Sequence, residues 1–162
     1  MTSPTDANAR VIPHPRRVPA RRNMHAVPYV EMFDGKLQGV VSSGSDASRV
    51  YCSWIDSDGD FYCSTNNNRP CGGLRGGGCK HIDSMITNAI AQFDGDEVAR
   101  FLGIKGDPGS FNNSRAITSQ IRGSLRKEPA NAVFSRFLNY LRYTELEGSC
   151  APMPEMAWFI TG

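Results

Sequence analysis

Two short runs of β-favouring residues, Val50-Tyr51-Cys52-Ser53-Trp54-Ile55 and Phe61-Tyr62-Cys63-Ser64, flank the polar stretch Asp56-Ser57-Asp58-Gly59-Asp60. An Asp-Gly pair between such runs predicts a β-hairpin. Further on, the apolar period becomes helical: Ile82, Met85, Ile86, Ala89, Ile90 and Phe93 fall on one stripe. A second helix is predicted over Asp96-Glu97-Val98-Ala99-Arg100-Phe101-Leu102, with acids in its first turn and Gly103 as its stop. After the break at Lys105-Gly106-Asp107-Pro108-Gly109, Ser114 reads as the N-cap of a helix bearing Ile117, Ile121 and Leu125. Asn131 reads as the cap of the longest helix, with Phe134, Phe137, Leu138 and Leu141 on one face. These helices are expected to complete a core that a hairpin and loop are too small to supply.

The loop between hairpin and first helix carries the most concentrated chemistry in the chain. Cys63, Cys71, Cys79 and His81 lie between the second strand and the helix start. Three thiolates and an imidazole make the tetrahedral shell that Zn²⁺ favours, and four protein ligands leave no position for water or substrate. One structural Zn²⁺ is therefore expected, in a site that serves folding and recognition. The Gly-rich loop lets backbone amides approach the sulfurs. Cys79 and His81 sit where the positive end of a helix dipole suits thiolates.

Cys52, on the first hairpin strand, competes as an alternate ligand. A turn centred on Asp58-Gly59 places Trp54 opposite Cys63 and Cys52 opposite Thr65; a turn centred one residue earlier places Cys52 opposite Cys63. Both registers fit the sequence. The plainer role for Cys52 is that of a small buried hydrophobe. Cys150, in Gly148-Ser149-Cys150-Ala151-Pro152, reads as a free thiol.

Over residues 37–92 this arrangement resembles the SWIM zinc-finger family, in which two cysteines close a β-hairpin and, after a variable loop, Cys-x-His opens a helix. Cys79-Lys80-His81-Ile82 matches the closing half. The opening half departs, because Thr65 stands where the family has its second cysteine; Cys71 replaces it, giving Cys-x7-Cys-x7-Cys-x-His. The resemblance implies a zinc-organised module that contacts DNA or other proteins, in helicase, transposase, kinase-like and recombination settings. The stretch Arg69-Pro70-Cys71-Gly72-Gly73-Leu74-Arg75 also resembles loops of small prokaryotic companions of AAA+ ATPase and von Willebrand A-domain systems, which implies a protein partner of that kind.

Composition refines the picture. The chain has 162 residues, 40% of them hydrophobic, and a net charge of +2, which suits one domain with a tail. The expected division is a disordered Arg/Pro-rich tail over 1–26, the zinc-binding hairpin and helix over 27–93, and a helical segment over 94–162 that completes the same core. Five of the 18 basic residues (Arg10, Arg16, Arg17, Arg21 and Arg22) and one of the 16 acids (Asp6) fall in the tail, so it carries +4 and the remainder −2. Such an arm either tracks phosphates or merely solubilises the chain. In the globular part Arg69, Arg75 and Lys80 are the nucleic-acid candidates, although cations there also balance the negative charge of a three-thiolate zinc site. Arg122, Arg126 and Lys127 are expected on a later helix.

An odd count of five cysteines and an N-terminus with no apolar signal region point to a reducing, cytoplasmic location. No stretch is apolar enough to span a membrane. Met153, Met156, Trp158, Phe159 and Ile160 need cover: the segment either packs back across the helices or docks on a partner through Trp158 and Phe159.

Catalytic patterns fail. Asp56-x-Asp58-x-Asp60 begins like an EF-hand, but Phe61 and Asn67 occupy the glycine and glutamate positions. The glycine run before Lys80 is interrupted by Cys79 and is no phosphate cradle. His14 and His25 lie in or beside the tail, which leaves no nucleophile–base set. The expected fold class is α+β, a β-hairpin, zinc loop and helix followed by a helical C-terminal half. The expected function is a non-catalytic zinc-binding adaptor in protein–protein interaction, with DNA/RNA binding through the arginine arm and loop cations as the alternative.

Overall fold

Two of the turns that connect the strands of the sheet carry an aspartate followed by glycine, Asp34-Gly35 and Asp58-Gly59. The computed structural model describes residues 26–44, 46, 49–74 and 78–146. β1 (Tyr29–Phe33) and β2 (Lys36–Ser42) are joined by Asp34-Gly35, with φ of 49° and 72°. Both turn residues are thus left-handed, the mirror-image turn that matches strand twist and that Asp-Gly accommodates. This hairpin is not among the predicted elements, although its turn carries the same signal as the predicted one.

β3 (Val50–Asp56) and β4 (Phe61–Thr65) form the predicted hairpin in neither expected register. Ser53, not Trp54 or Cys52, stands opposite Cys63, and Cys52 stands opposite Ser64. The turn is responsible. Asp56 N–H donates to Asp60 O at 3.0 Å, which leaves a three-residue loop that closes through Gly59 at φ 80°. The Asp56 carboxylate fixes it by accepting from the N–H groups of Asp58 (3.0 Å) and Asp60 (2.9 Å).

The strands make one antiparallel sheet in the order β1-β2-β3-β4. Alternation sorts their side chains onto two buried faces. On one, Leu37, Val41, Ile55 and Phe61 meet Ile82, Met85, Ile86 and Ala89 of α1 (Lys80–Phe93). α2 (Gly95–Phe101) and α3 (Ser114–Thr118) extend this core with Val98, Ala99 and Ile117. α1 crosses the sheet closely at Gly39, where a Cβ would stand 2.6 Å from Tyr29 O and 3.2 Å from Met85 Cγ. On the other face Tyr29, Val40 and Cys52 meet Ala130, Val133 and Phe137, the last two on α4 (Asn131–Leu146). The fold is α+β, with helices on both faces of the sheet. Among the described residues no helix is long and apolar enough to cross a membrane.

Two helical expectations need correction. α3 has five residues and is capped by Asn113, whose side chain accepts from Ala116 N–H, so Ser114 is its first residue. The chain that follows leaves the helix and pairs with β4: Phe61 N–H donates to Ser124 O and Arg126 N–H to Phe61 O, both at 3.1 Å. The free edge of β4 outcompetes helix continuation there, because Gly123 permits a backbone approach to Gly59 that no Cβ would fit. Ile121, Leu125, Arg122, Arg126 and Lys127 are therefore not helical. On α4 the buried stripe runs through Val133 and Phe137, while Leu138 and Leu141 are exposed and Asn131 is the first helical residue. Overlapping apolar stripes on one helix satisfy the same periodicity, and only the sheet selects between them.

Candidate metal centre

Cys63 points from β4 into the α1 face and is fully buried. A short reversal then brings the chain back along β4. Thr65 Oγ1 accepts from Arg69 N–H (3.1 Å), Asn68 takes φ 65°, and Thr65 N–H donates to Arg69 O (2.8 Å). The returning segment places Cys71 N–H on Cys63 O at 3.0 Å, which sets the two side chains beside each other. Cys71 then accepts from Gly73 N–H at 3.4 Å. Cys79 is the N-cap of α1, extended at φ −137°, and its side chain makes no capping bond. His81 follows in the first turn and is buried.

The four donor atoms lie within 4.8 Å of one another, and such a group could hold a metal ion. Nδ1 of His81 stands 3.7 Å from Cys63 Sγ, 3.3 Å from Cys71 Sγ and 3.8 Å from Cys79 Sγ. For a tetrahedral ion with ordinary zinc–sulfur and zinc–nitrogen bond lengths, the sulfur–nitrogen edge is about 3.5 Å. The donor set therefore has the dimensions of a four-coordinate site, and Nδ1 is the nitrogen presented to it.

Two residues of β3 support this set. The Tyr51 ring stacks on His81, with centroids 3.7 Å apart and planes at 15°. Ser53 Oγ, fully buried, donates to Cys63 Sγ at 3.2 Å. Neither is among the sequence candidates. The signal for both was the register: with Ser53 opposite Cys63, positions 51 and 53 share the face of the cluster.

The sulfurs are unequal when no cation is bound. The Cys63 thiol donates to Cys71 and Cys79, which holds Cys71 down at about 6 and Cys79 at about 4. Backbone N–H groups assist, Gly73 at Cys71 and Ile82 and His81 at Cys79. Cys63 is pushed far up, first by sharing its proton with Cys71 and Cys79 and then by burial. Burial pulls His81 down, but the Cys79 and Cys71 sulfurs outweigh it and raise the imidazole. The lowered Cys71 and Cys79 thiols favour the deprotonated form in which cysteine binds a metal.

Cys52 does not join the cluster. It projects from the opposite face of the sheet among Tyr29, Val40 and Val133, where burial pushes its thiol up to about 12. Lys80 is exposed at the start of α1 and lines a cavity of about 630 Å³ beside the ligands, with Tyr51, Asp83 and Thr118. Arg69 is exposed in a neighbouring polar depression of about 500 Å³, with Arg49, Asn66 and Asn67. Arg75, the tail arginines Arg16, Arg17, Arg21 and Arg22, Cys150, Trp158 and Phe159 lie outside the described residues.

Fold and cluster together define the class: an α+β chain with a Cys3His set, fit for a metal ion, between a sheet and a helix start. Comparison with protein-family models, with curated proteins and with solved structures finds no match.

Proposed function

We propose that this chain is a non-catalytic zinc-binding module that acts as an adaptor between proteins. The observation that carries the reading is the Cys3His cluster, with its donors at the spacing of a tetrahedral shell. Thiolate-rich sets with one imidazole favour Zn²⁺ over harder divalent ions, and a shell filled by four protein ligands serves structure. The SWIM-type assignment is part of the same proposal. It is supported by Cys79 as N-cap and His81 in the first turn of α1, following a hairpin that carries Cys63. The adaptor role is supported by the exposed side chains of Leu138 and Leu141, one turn apart on α4, an apolar pair of the kind partners cover. A partner from an AAA+ ATPase or von Willebrand A-type system rests on the resemblance of the Arg69–Arg75 stretch alone.

A second reading, nucleic-acid binding, has one observation in its favour: the polar depression lined by Arg49, Arg69, Asn66 and Asn67 beside Tyr51. Arg49 is engaged with Asp46 at 3.6 Å, which reduces what it offers a phosphate. Metal analysis of the purified chain, followed by capture of partners from a native extract with and without nuclease, separates the readings. The adaptor reading expects one zinc per chain and protein partners that survive nuclease. Partners that vanish with the nucleic acid would replace it with the second reading.

A further inference from the structure

The two edges of the sheet are treated differently. The outer side of β4 is covered by the chain itself, by residues 124–126 near Phe61 and by Pro70 at Ser64. β1 is the other edge, and among the described residues its five residues pair only with β2. Three devices that often protect such an edge are missing from the strand itself. The strand has no lysine, no proline and no bulge. Its one charge, Glu31, is turned aside into a pair with Arg136, whose Nη2 stands 2.7 Å from Oε2.

A depression of about 500 Å³ runs along this edge, walled by Gln92 of α1 on one side and Asn139, Tyr140 and Tyr143 of α4 on the other. α4 runs antiparallel to β1: Arg136 pairs with Glu31, Tyr140 lies 5.3 Å from Tyr29, and Tyr143 lines the depression with Val27 and Pro28. The helix thus delivers the chain to the open edge, at the end where β1 begins. Residues 147–162 follow, and they include the uncharged run Met156-Ala157-Trp158-Phe159-Ile160. The ten residues from Leu146 to Met156 span up to roughly 33 Å when extended, ample for a reversal.

We propose that residues 156–160 dock on the outer edge of β1 as a fifth strand parallel to it, with the depression between Gln92 and Tyr143 taking Trp158. Extended backbone satisfies the unpaired donors and acceptors of the edge, and apolar side chains suit a groove whose one ion pair is closed on itself. The inference is independent of the metal centre and goes beyond the adaptor reading.

Hydrogen exchange read by mass spectrometry on the full chain tests it. In the wild-type protein the β1 amides that face away from β2 are expected to be protected. The double variant Trp158→Asp/Phe159→Asp is expected to speed their exchange at least about tenfold, with α1 and β4 unchanged and metal content retained. Outward β1 amides that exchange in the wild type at the rate of free peptide would overturn the proposal, whether or not the variant folds. Equal β1 rates in the two proteins would do the same. Protection that appears only with a concentration-dependent dimer in sedimentation would move the strand to a second copy and overturn docking within one chain.

Discussion

Cys52 and Cys63 lie on neighbouring strands of one hairpin, yet they belong to opposite faces of the sheet and to different chemistry. The α1 face resolves its polar groups: Ser53 donates to Cys63, and Tyr51 stacks on His81. The α4 face resolves less. There, buried Trp54 Nε1 and Ser64 Oγ have no partner among the described residues, and Cys52 is packed as a hydrophobe. Residue type alone does not decide whether a strand cysteine or serine is functional. The register does, since a shift of one residue exchanges the two faces.

Substitutions on the two faces put this contrast at risk. The largest effect is expected from Cys71→Ser: loss of the bound metal in elemental analysis and unfolding of the hairpin–loop region, because a structural zinc site contributes about 10–16 kcal/mol of coupled folding energy. Full metal content and an unchanged melt would sink the ligand assignment. Cys52→Ser should keep one metal per chain while lowering stability by about 1–3 kcal/mol, the cost of a buried hydroxyl without a partner. Metal loss in that variant would erase the distinction between the faces. Ser53→Ala should fold and bind metal about tenfold more weakly in a chelator competition, since it removes a bond to a ligand and leaves the ligand in place.

The smallest effect concerns Glu31 on β1. Burial pushes its carboxyl up, but bonds from Arg136, Tyr29 and Gln38 outweigh this and hold it below the ordinary 4.5. With the folded value below the unfolded one, the stabilisation is fully present above pH 4.5 and is lost as pH falls through the folded value. Glu31→Gln should therefore lower stability at neutral pH by about 0.5–1 kcal/mol, a figure kept small by the partly exposed guanidinium, and flatten the acid limb of the stability curve. A variant that melts in parallel with the wild type from pH 7 to pH 3 would show that the pair contributes nothing.

The sequence announced the metal face more fully than its surroundings. Cys79 and His81 were legible because a helical stripe starts immediately after them, and Cys63 because a β-favouring run contains it. Asp34-Gly35 carried an equally plain turn signal, and the β1–β2 hairpin would have followed from it. The register of β3 and β4 was not legible, because it depends on the Asp56 carboxylate holding a three-residue loop where two-residue turns also fit. The fate of residues 121–126 was hidden for a similar reason. Their partner is the edge of β4, some sixty residues away, and no local period encodes that.

The bond from Cys71 N–H to Cys63 O has a kinetic consequence. It belongs to a local reversal, so two sulfurs meet as soon as the β3–β4 hairpin and its returning loop form, an event on a scale of about 1–10 μs for hairpins. Cys79 and His81 arrive only when α1 settles on the sheet. Capture of the ion is thus expected in two stages, a loose two-sulfur complex followed by closure, with the second stage reporting helix docking in a stopped-flow experiment. In this order of events a bound ion would act as a latch that registers whether the helix has found its strand.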